Sequence, residues 1–243
     1  MIKKKNYWFN KVPKPIIGLA PMHAVSKSPL RLLCRKVGAD VVYSEMVAAE
    51  AIIRRIPQAW QMMHFEPEER PIIIQIFGDN PQTVAEAAKI IEQEFIPDGI
   101  DINFGCPVQK AAKQGFGSIQ LSDPEKAAEI VGAIKLVVKK IPISAKIRLV
   151  SKNIQDSLNF INKIKEAGID MIAVHGRTPT QKYHGQADWK AIQLIKTNFP
   201  DLVVLGSGDI DNLETLREKI DGLEGVLIGR AAKRNPEIFI ELS

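Results

Sequence analysis

Cys106 stands in DGIDINFGCPVQK, residues 98–110, and is one of only two cysteines in a chain of 243 residues. It follows a short apolar run, Ile100 to Ile102, and sits between Gly105 and Pro107. A thiol in a loop just past a strand can donate a proton or act as a nucleophile, according to its pKa. Lys146 and Arg148 alternate within ISAKIRL, residues 143–149, so a strand there puts both on one face. On an outward face they would snorkel between helices. Inside a barrel, two cations need an anionic partner such as an electron-rich ring, a phosphate or a carboxylate. His175 closes DMIAVH, residues 170–175, either as a ligand-facing group or as a satisfied core histidine.

Two glycine-bearing stretches add an anion site. GSGDI, residues 206–210, and GVLIGR, residues 225–230, put glycines where backbone N–H groups can approach a phosphate. Arg230 adds a bidentate donor, and the bland alternative is a pair of tight turns. His23, His64 and His184 have no metal-ligand spacing, and neither His-Glu-x-x-His nor Cys-x-x-Cys occurs, so no metal site is expected. Cys34, in RLLCRKVG, lies on the apolar stripe of a helix and is read as packing.

The elements that must position these residues alternate regularly. Short β-branched runs occur at residues 15–21, 40–45, 71–77, 99–103, 143–149, 170–175, 202–208 and 224–229. Helical patterns lie between them. One opens at Asn80 with Pro81 in its first turn, and another at Ser122 or Asp123 with Pro124 just inside. Eight strand–helix units in this length predict an α/β fold of the (β/α)8 TIM-barrel type, a single domain over 1–243. Continuous apolar strands fit parallel strands covered on both sides. An open doubly wound sheet is the structural alternative, weakened by the lack of Gly-x-Gly-x-x-Gly after the first strand.

In a (β/α)8 barrel, chemistry gathers at the C-terminal ends of the strands. The unusual residues fall there: Pro21, Met22 and His23 after strand one, Glu45 at the end of strand two, and Gln75 on strand three. Asn103 and Cys106 follow strand four, Lys146 and Arg148 lie on strand five, and His175 and Arg177 end strand six. Ser207, Gly208 and Asp209 end strand seven, and Gly229 and Arg230 end strand eight. One binding mouth is expected.

Composition limits the setting. Hydrophobic residues make up 45% and charged residues 25%, as in ordinary soluble proteins. The net charge of +5 and pI of about 9.1 suit a polyanionic partner without requiring one. Two cysteines cannot build a disulfide framework, no apolar run reaches membrane-spanning length, and the opening MIKKKNYWFNK lacks a signal-type apolar stretch. A cytoplasmic protein is expected, with Lys3, Lys4 and Lys5 at a frayed terminus.

Together these residues resemble the tRNA-dihydrouridine synthases, flavin enzymes that reduce uridine in tRNA. The likeness runs from GLAPM at 18–22 to GVLIGRAAKRNP at 225–236. It is most specific in DINFGCP, the KQGFGS at 113–118, KIR at 146–148 and VHGRTPTQKYHGQADW at 174–189. The resemblance implies FMN across the mouth, with Pro21, Met22 and His23 near one face of its ring and Gln75 and Lys146 at its polar edge. His175 would lie nearby, and Ser207, Gly208, Asp209, Gly229 and Arg230 would hold the phosphate. NAD(P)H would reduce the flavin, and a hydride would pass to C6 of a flipped-out uracil while Cys106 protonates C5. Asn103 would hold the base or ribose, and Arg148 and Arg177 the substrate. Lys110, Lys113, Arg148, Arg177 and Lys182 are read as phosphate contacts for tRNA.

Three features depart from the family pattern. Ser207 replaces the usual Asn of GNGDI, Pro179 replaces an Arg common after HGRT, and the chain stops at Ser243 without the helical domain that grips tRNA. Other classes of function are a flavin- or RNA-binding protein without turnover, a sugar-phosphate lyase with Lys146 as Schiff base, and an FMN-dependent oxidoreductase of free pyrimidines.

Overall fold

The structure is a computed structural model that describes residues 6–106 and 117–242. Lys3, Lys4, Lys5, Lys110 and Lys113, and part of the 113–118 motif, lie outside the described residues. Eight strands follow one another in chain order: β1 Ile16–Leu19, β2 Val41–Ala48, β3 Ile72–Phe77, β4 Gly99–Asn103, β5 Ile143–Arg148, β6 Met171–His175, β7 Val203–Ser207 and β8 Gly225–Ile228. Each pairs in parallel with the next, and β8 returns beside β1, with Ile16 opposite Gly225 and Leu19 opposite Ile228. The sheet is therefore the closed (β/α)8 barrel that the alternation predicts, and the open-sheet alternative is excluded.

Five of the helices on the outside start at Asn80, Asp123, Asn153, Asp188 and Asn212, whose short polar side chains hold free N–H groups of the first turn. α1 spans Ser28–Lys36, α2 Ala49–Ile53, α3 Pro57–Met63 and α4 Pro81–Ile90, and α5 spans Pro124–Val137. They continue with α6 Ile154–Glu166, α7 Trp189–Asn198, α8 Leu213–Lys219, α9 Arg230–Arg234 and α10 Ile238–Leu242. Asn80 accepts from the Thr83 N–H at 2.9 Å, and Asp123 from the Lys126 N–H at 3.0 Å. Pro81 and Pro124 follow directly, where a missing N–H is harmless.

Strand alternation sorts the core into two layers. Ile17, Leu19, Ile74, Ile102, Ala145, Val174 and Ile228 face outward and pack against the helices. Ile16, Val41, Tyr43, Ile73, Met171, Ala173, Leu205 and Leu227 face the barrel axis, where Tyr7, Trp8 and Phe9 close its lower end. Full burial of such side chains stabilises by about 1.5–3 kcal/mol each. Above this apolar plug the inward positions turn polar, which opens the upper end to chemistry.

One strand differs from the sequence reading. β2 does not end at Glu45 but runs to Ala48, because its pairing with β3 shifts between Tyr43 and Met46. This irregularity, a bulge in the manner of many site-lining strands, lets the Glu45 carboxylate accept the N–H of Ala24 in the loop after β1. Met46 in turn reaches the site on β4.

Candidate active site

The upper end of the barrel holds a cavity of about 1050 Å³. The residues proposed from the sequence for the flavin, the base and the thiol chemistry line it: Pro21, Met22, His23, Gln75, Asn103, Cys106, Lys146, Arg148, His175, Arg177, Ser207, Gly208, Asp209, Gly229 and Arg230, whereas Lys182, read as an RNA contact, does not. They come from loops and strand ends scattered across the chain, and barrel closure brings them together.

Lys146 settles the question of the strand face. It lies on the inner side of β5, in register with Asn103 of β4. Burial, and next the nearby Arg148 cation, lower its pKa to about 8, while Asp101 and Cys106 pull it back up. Among the described residues no hydrogen bond or ion pair reaches its ammonium group, and the Asp101 carboxylate below acts on it only through space.

The loop after β4 is built around Asn103. Its Oδ1 accepts the N–H groups of Gly105 at 3.0 Å and Cys106 at 2.9 Å. Its Nδ2 donates to Gln75 Oε1 at 2.9 Å and approaches the sulfur of Met46 at 3.4 Å. Gly117, with φ of +76°, packs so closely on Cys106 that a Cβ there would lie 2.8 Å from the Cys106 carbonyl oxygen. Cys106 is half-exposed at the cavity. Cys34 is fully buried on α1, and burial pushes its thiol up to about 12, so it is inert packing.

The two arginines are engaged within the protein. Arg148 donates through Nε to the Gly105 carbonyl at 3.1 Å, and through Nη1 to the carbonyls of Thr178 at 3.2 Å and Lys182 at 2.7 Å. It ties the Cys106 loop to the loop after β6. Arg177 is only 3% exposed; its Nη2 pairs with the Asp209 carboxylate at 2.7 and 2.8 Å, and its Nε donates to the His184 carbonyl. Its Nη1 is buried and has no hydrogen-bond partner among the described residues. Neither is a free surface cation of the kind that grips an RNA backbone; among the described residues the exposed cations that line the cavity are Arg230, Lys233 and Arg234, and Lys182 is exposed nearby.

Asp209 organises the region after β7. It sits at φ of +53° and also receives Arg230 at 2.8 Å and the Ala187 N–H at 2.8 Å. Although burial works against it, the Ala187 N–H and Arg177 hold its carboxyl below the usual range. Gly208 beside it has φ of +122°, and an added Cβ would lie 2.8 Å from that of Ala187, so a side chain is refused on both counts.

His175 is neutral. Burial, followed by the cations Lys146, Arg148, Arg177 and Arg230, lowers its pKa to about 2. Its Nδ1 accepts the Arg177 N–H at 3.2 Å, so the remaining proton is on Nε2.

Two contributors were not singled out from the sequence. Tyr183, 59% exposed, stands at the mouth with the Arg148 and Arg230 guanidinium groups 5.5 and 5.3 Å from its ring centre. Asp101 lies beneath the cavity floor and is bonded to Gln75 and Ser144. Among the described residues no group of three or more His, Cys, Asp or Glu is arranged to hold a metal, and no helix is long and apolar enough to cross a membrane.

Comparison with known proteins bears on this site. The family model described as "Dihydrouridine synthase (Dus)" matches residues 18–243. An Aquifex aeolicus protein named "Probable tRNA-dihydrouridine synthase" is 38% identical over 228 residues, covering 92% of this chain and 71% of its own. The tRNA-dihydrouridine synthase B of Pseudomonas aeruginosa is 37% identical, with 92% and 68% covered. The tRNA-dihydrouridine(16/17) synthase [NAD(P)(+)] of Schizosaccharomyces pombe is 34% identical, and the chain covers 59% of its length. Among solved structures, a 2-naphthoyl-CoA reductase complex superposes with a TM-score of 0.70 at 10% identity, over 91% of this chain and 49% of that one. That likeness speaks to the fold alone.

Proposed function

The chain belongs to the dihydrouridine synthase family, and from that premise we propose that its barrel mouth binds FMN and reduces uridine to 5,6-dihydrouridine in tRNA, with NAD(P)H as reductant. The observation that carries this reading is the pairing, in one cavity, of a buried ammonium group that makes no hydrogen bond among the described residues, Lys146 on β5, with a half-exposed thiol, Cys106, in the loop after the neighbouring β4.

The residues present fit FMN. The cavity is large enough for a flavin and a base together. Lys146 supplies a cation for the electron-rich edge of the ring, and Gln75 a fixed amide beside it. Arg177 offers a buried Nη1 with no partner among the described residues. Pro21, Met22 and His23, which line the cavity, would hold the ring, and His175 would donate to it from Nε2. Ser207, Gly208, Asp209, Gly229 and Arg230 form the phosphate end; there the Asp209 carboxylate holds Arg177 and Arg230 in place rather than meeting the anion itself. FMN held by these residues would supply hydride chemistry for the uracil C5=C6 bond.

The chain's own residues do the rest. The target base must leave its stack to reach a cavity in a barrel mouth. Asn103 positions the base or its ribose and holds the Cys106 backbone. Arg148 and Arg177 shape the loop that covers the substrate, with Tyr183 at the rim. The uracil C5=C6 bond is a weak electrophile, so addition at C6 needs charge stabilisation and prompt protonation at C5. The Cys106 S–H gives that proton, forming the C5–H bond and leaving a thiolate beside Lys146.

In this reading residues 1–243 act as one catalytic barrel in the cytoplasm. Mapping dihydrouridine in the tRNA of a strain that lacks this chain tests it. Loss of one or more dihydrouridines supports the proposal, and an unchanged map overturns it.

A further inference from the structure

Asp101 has no role in the account above, yet its chemistry reaches the site. It occupies the middle of β4, flanked by the apolar Ile100 and Ile102, and its side chain is fully buried on the inner face. Its two carboxylate oxygens are both engaged: Oδ2 accepts from Gln75 Nε2 at 2.7 Å and Oδ1 from the Ser144 hydroxyl at 2.6 Å. The other groups facing it are Tyr43 from β2 and Lys146 from β5.

An ionised carboxylate only accepts, whereas an amide has a donating and an accepting end. Asp101 therefore fixes which end of Gln75 points down. The NH2 group faces the carboxylate, and Oε1 is left facing Asn103, whose Nδ2 donates to it. That contact turns Asn103 in its turn, so that its Oδ1 faces the N–H groups of Gly105 and Cys106. With Asp101 at one end and two backbone donors at the other, neither amide can flip without losing bonds. An apolar side chain at 101 would leave the lower end undirected, with buried polar groups unsatisfied.

We infer that Asp101 is a positioning residue: a carboxylate one layer below the cavity that sets the direction of the Gln75–Asn103 amide pair and, through it, the backbone of the Cys106 loop. This rests on the proposed function only for its consequence; the relay itself is a property of the flavin-free chain. Asparagine at 101 can keep it, with its oxygen toward Gln75 and its NH2 toward the Ser144 hydroxyl, which rotates to accept. Alanine cannot.

The test uses the whole chain as wild type, Asp101→Asn and Asp101→Ala, first without flavin. The NH2 groups of Gln75 and Asn103, observed by NMR, should exchange slowly in wild type and Asp101→Asn. In Asp101→Ala they should exchange roughly tenfold faster or more, as expected for loss of a buried hydrogen bond to a charged group. FMN affinity, read by quenching of its fluorescence, should follow the same order. Wild-type protection in Asp101→Ala, or failure of Asp101→Asn alongside it, overturns the inference. If Asp101→Ala does not fold, wild type decides alone: the side-chain signals of Gln75 and Asn103 should move together as Asp101 takes up a proton, and static signals contradict the relay. If the amide pattern holds while wild type reduces no uridine, the relay stands and the functional reading fails.

Discussion

Asn103 Oδ1 lies 2.9 Å from the backbone nitrogen of Cys106, and the same side chain donates to Gln75 at 2.9 Å. One amide thus links the loop that carries the thiol to the floor of the cavity. The thiol itself makes little of the fold. Cys106→Ala should leave FMN bound and lower uridine reduction by roughly 10²–10⁴-fold, the range for a general acid. Flavin absorbance of the purified variant and single-turnover reduction of tRNA by pre-reduced protein check both halves; near-normal turnover removes Cys106 from the mechanism.

Lys146 predicts a pH limb. Its folded pKa of about 8 lies below its ordinary 10.5, so the folded chain holds fewer protons than the unfolded one between these values. Flavin-free stability should therefore rise as pH rises through that window. FMN affinity should do the opposite, flat at lower pH and falling above about 8 as the ammonium group is lost. Lys146→Met should bind FMN weakly, without this limb. Fluorescence titrations across the window, with melting curves of the flavin-free protein, test it, and a Lys146→Met protein with full flavin and an unchanged profile contradicts it.

Asp101 predicts a stabilising substitution. Burial raises its pKa to about 6 from 3.8, against the bonds from Gln75 and Ser144 and the charge of Lys146. A carboxylate with a raised folded pKa loses stability as pH rises from its unfolded value through its folded one. At neutral pH the ionised group then costs on the order of 2–3 kcal/mol. Asp101→Asn should melt higher than wild type at neutral pH, and the gap should close near pH 4. Equal melting temperatures at neutral pH count against a charged Asp101.

Salt dependence separates the buried arginines from the surface ones. Arg148 and Arg177 are internal, leaving Lys182, Arg230, Lys233 and Arg234 as exposed cations near the mouth. If these four of the described residues each meet a phosphate, log affinity for tRNA should fall with log salt at a slope of about 3. Arg234→Ala should reduce that slope by about one. A much steeper slope from the purified chain indicates a wider RNA-binding face.

Much of the fold was legible because β-branched runs and N-cap signals are local. Asn80-Pro81 and Asp123-Pro124 act within one helical turn, and the strand parity of Lys146 and Arg148 follows from two residues alone. What escaped depends on distance along the chain. The carbonyls that occupy Arg148 belong to Gly105, Thr178 and Lys182, and no local pattern announces them. β2 runs past Glu45 through an irregular pairing with β3 that its own sequence does not mark. Asp101 did leave a signal: it shares parity with Asn103, so a charge between two isoleucines had to face the barrel interior. Tyr7, Trp8 and Phe9 left one too, as three consecutive aromatics before the first strand.

The most direct measurement gives the purified chain FMN, NADPH and an unmodified tRNA transcript, and counts dihydrouridine by mass spectrometry of the digested RNA. Dihydrouridine should appear at one or a few fixed positions, formed only with all components present and lost in Cys106→Ala protein that still carries flavin. A flavin-loaded, NADPH-oxidising wild-type chain that leaves every uridine intact contradicts it.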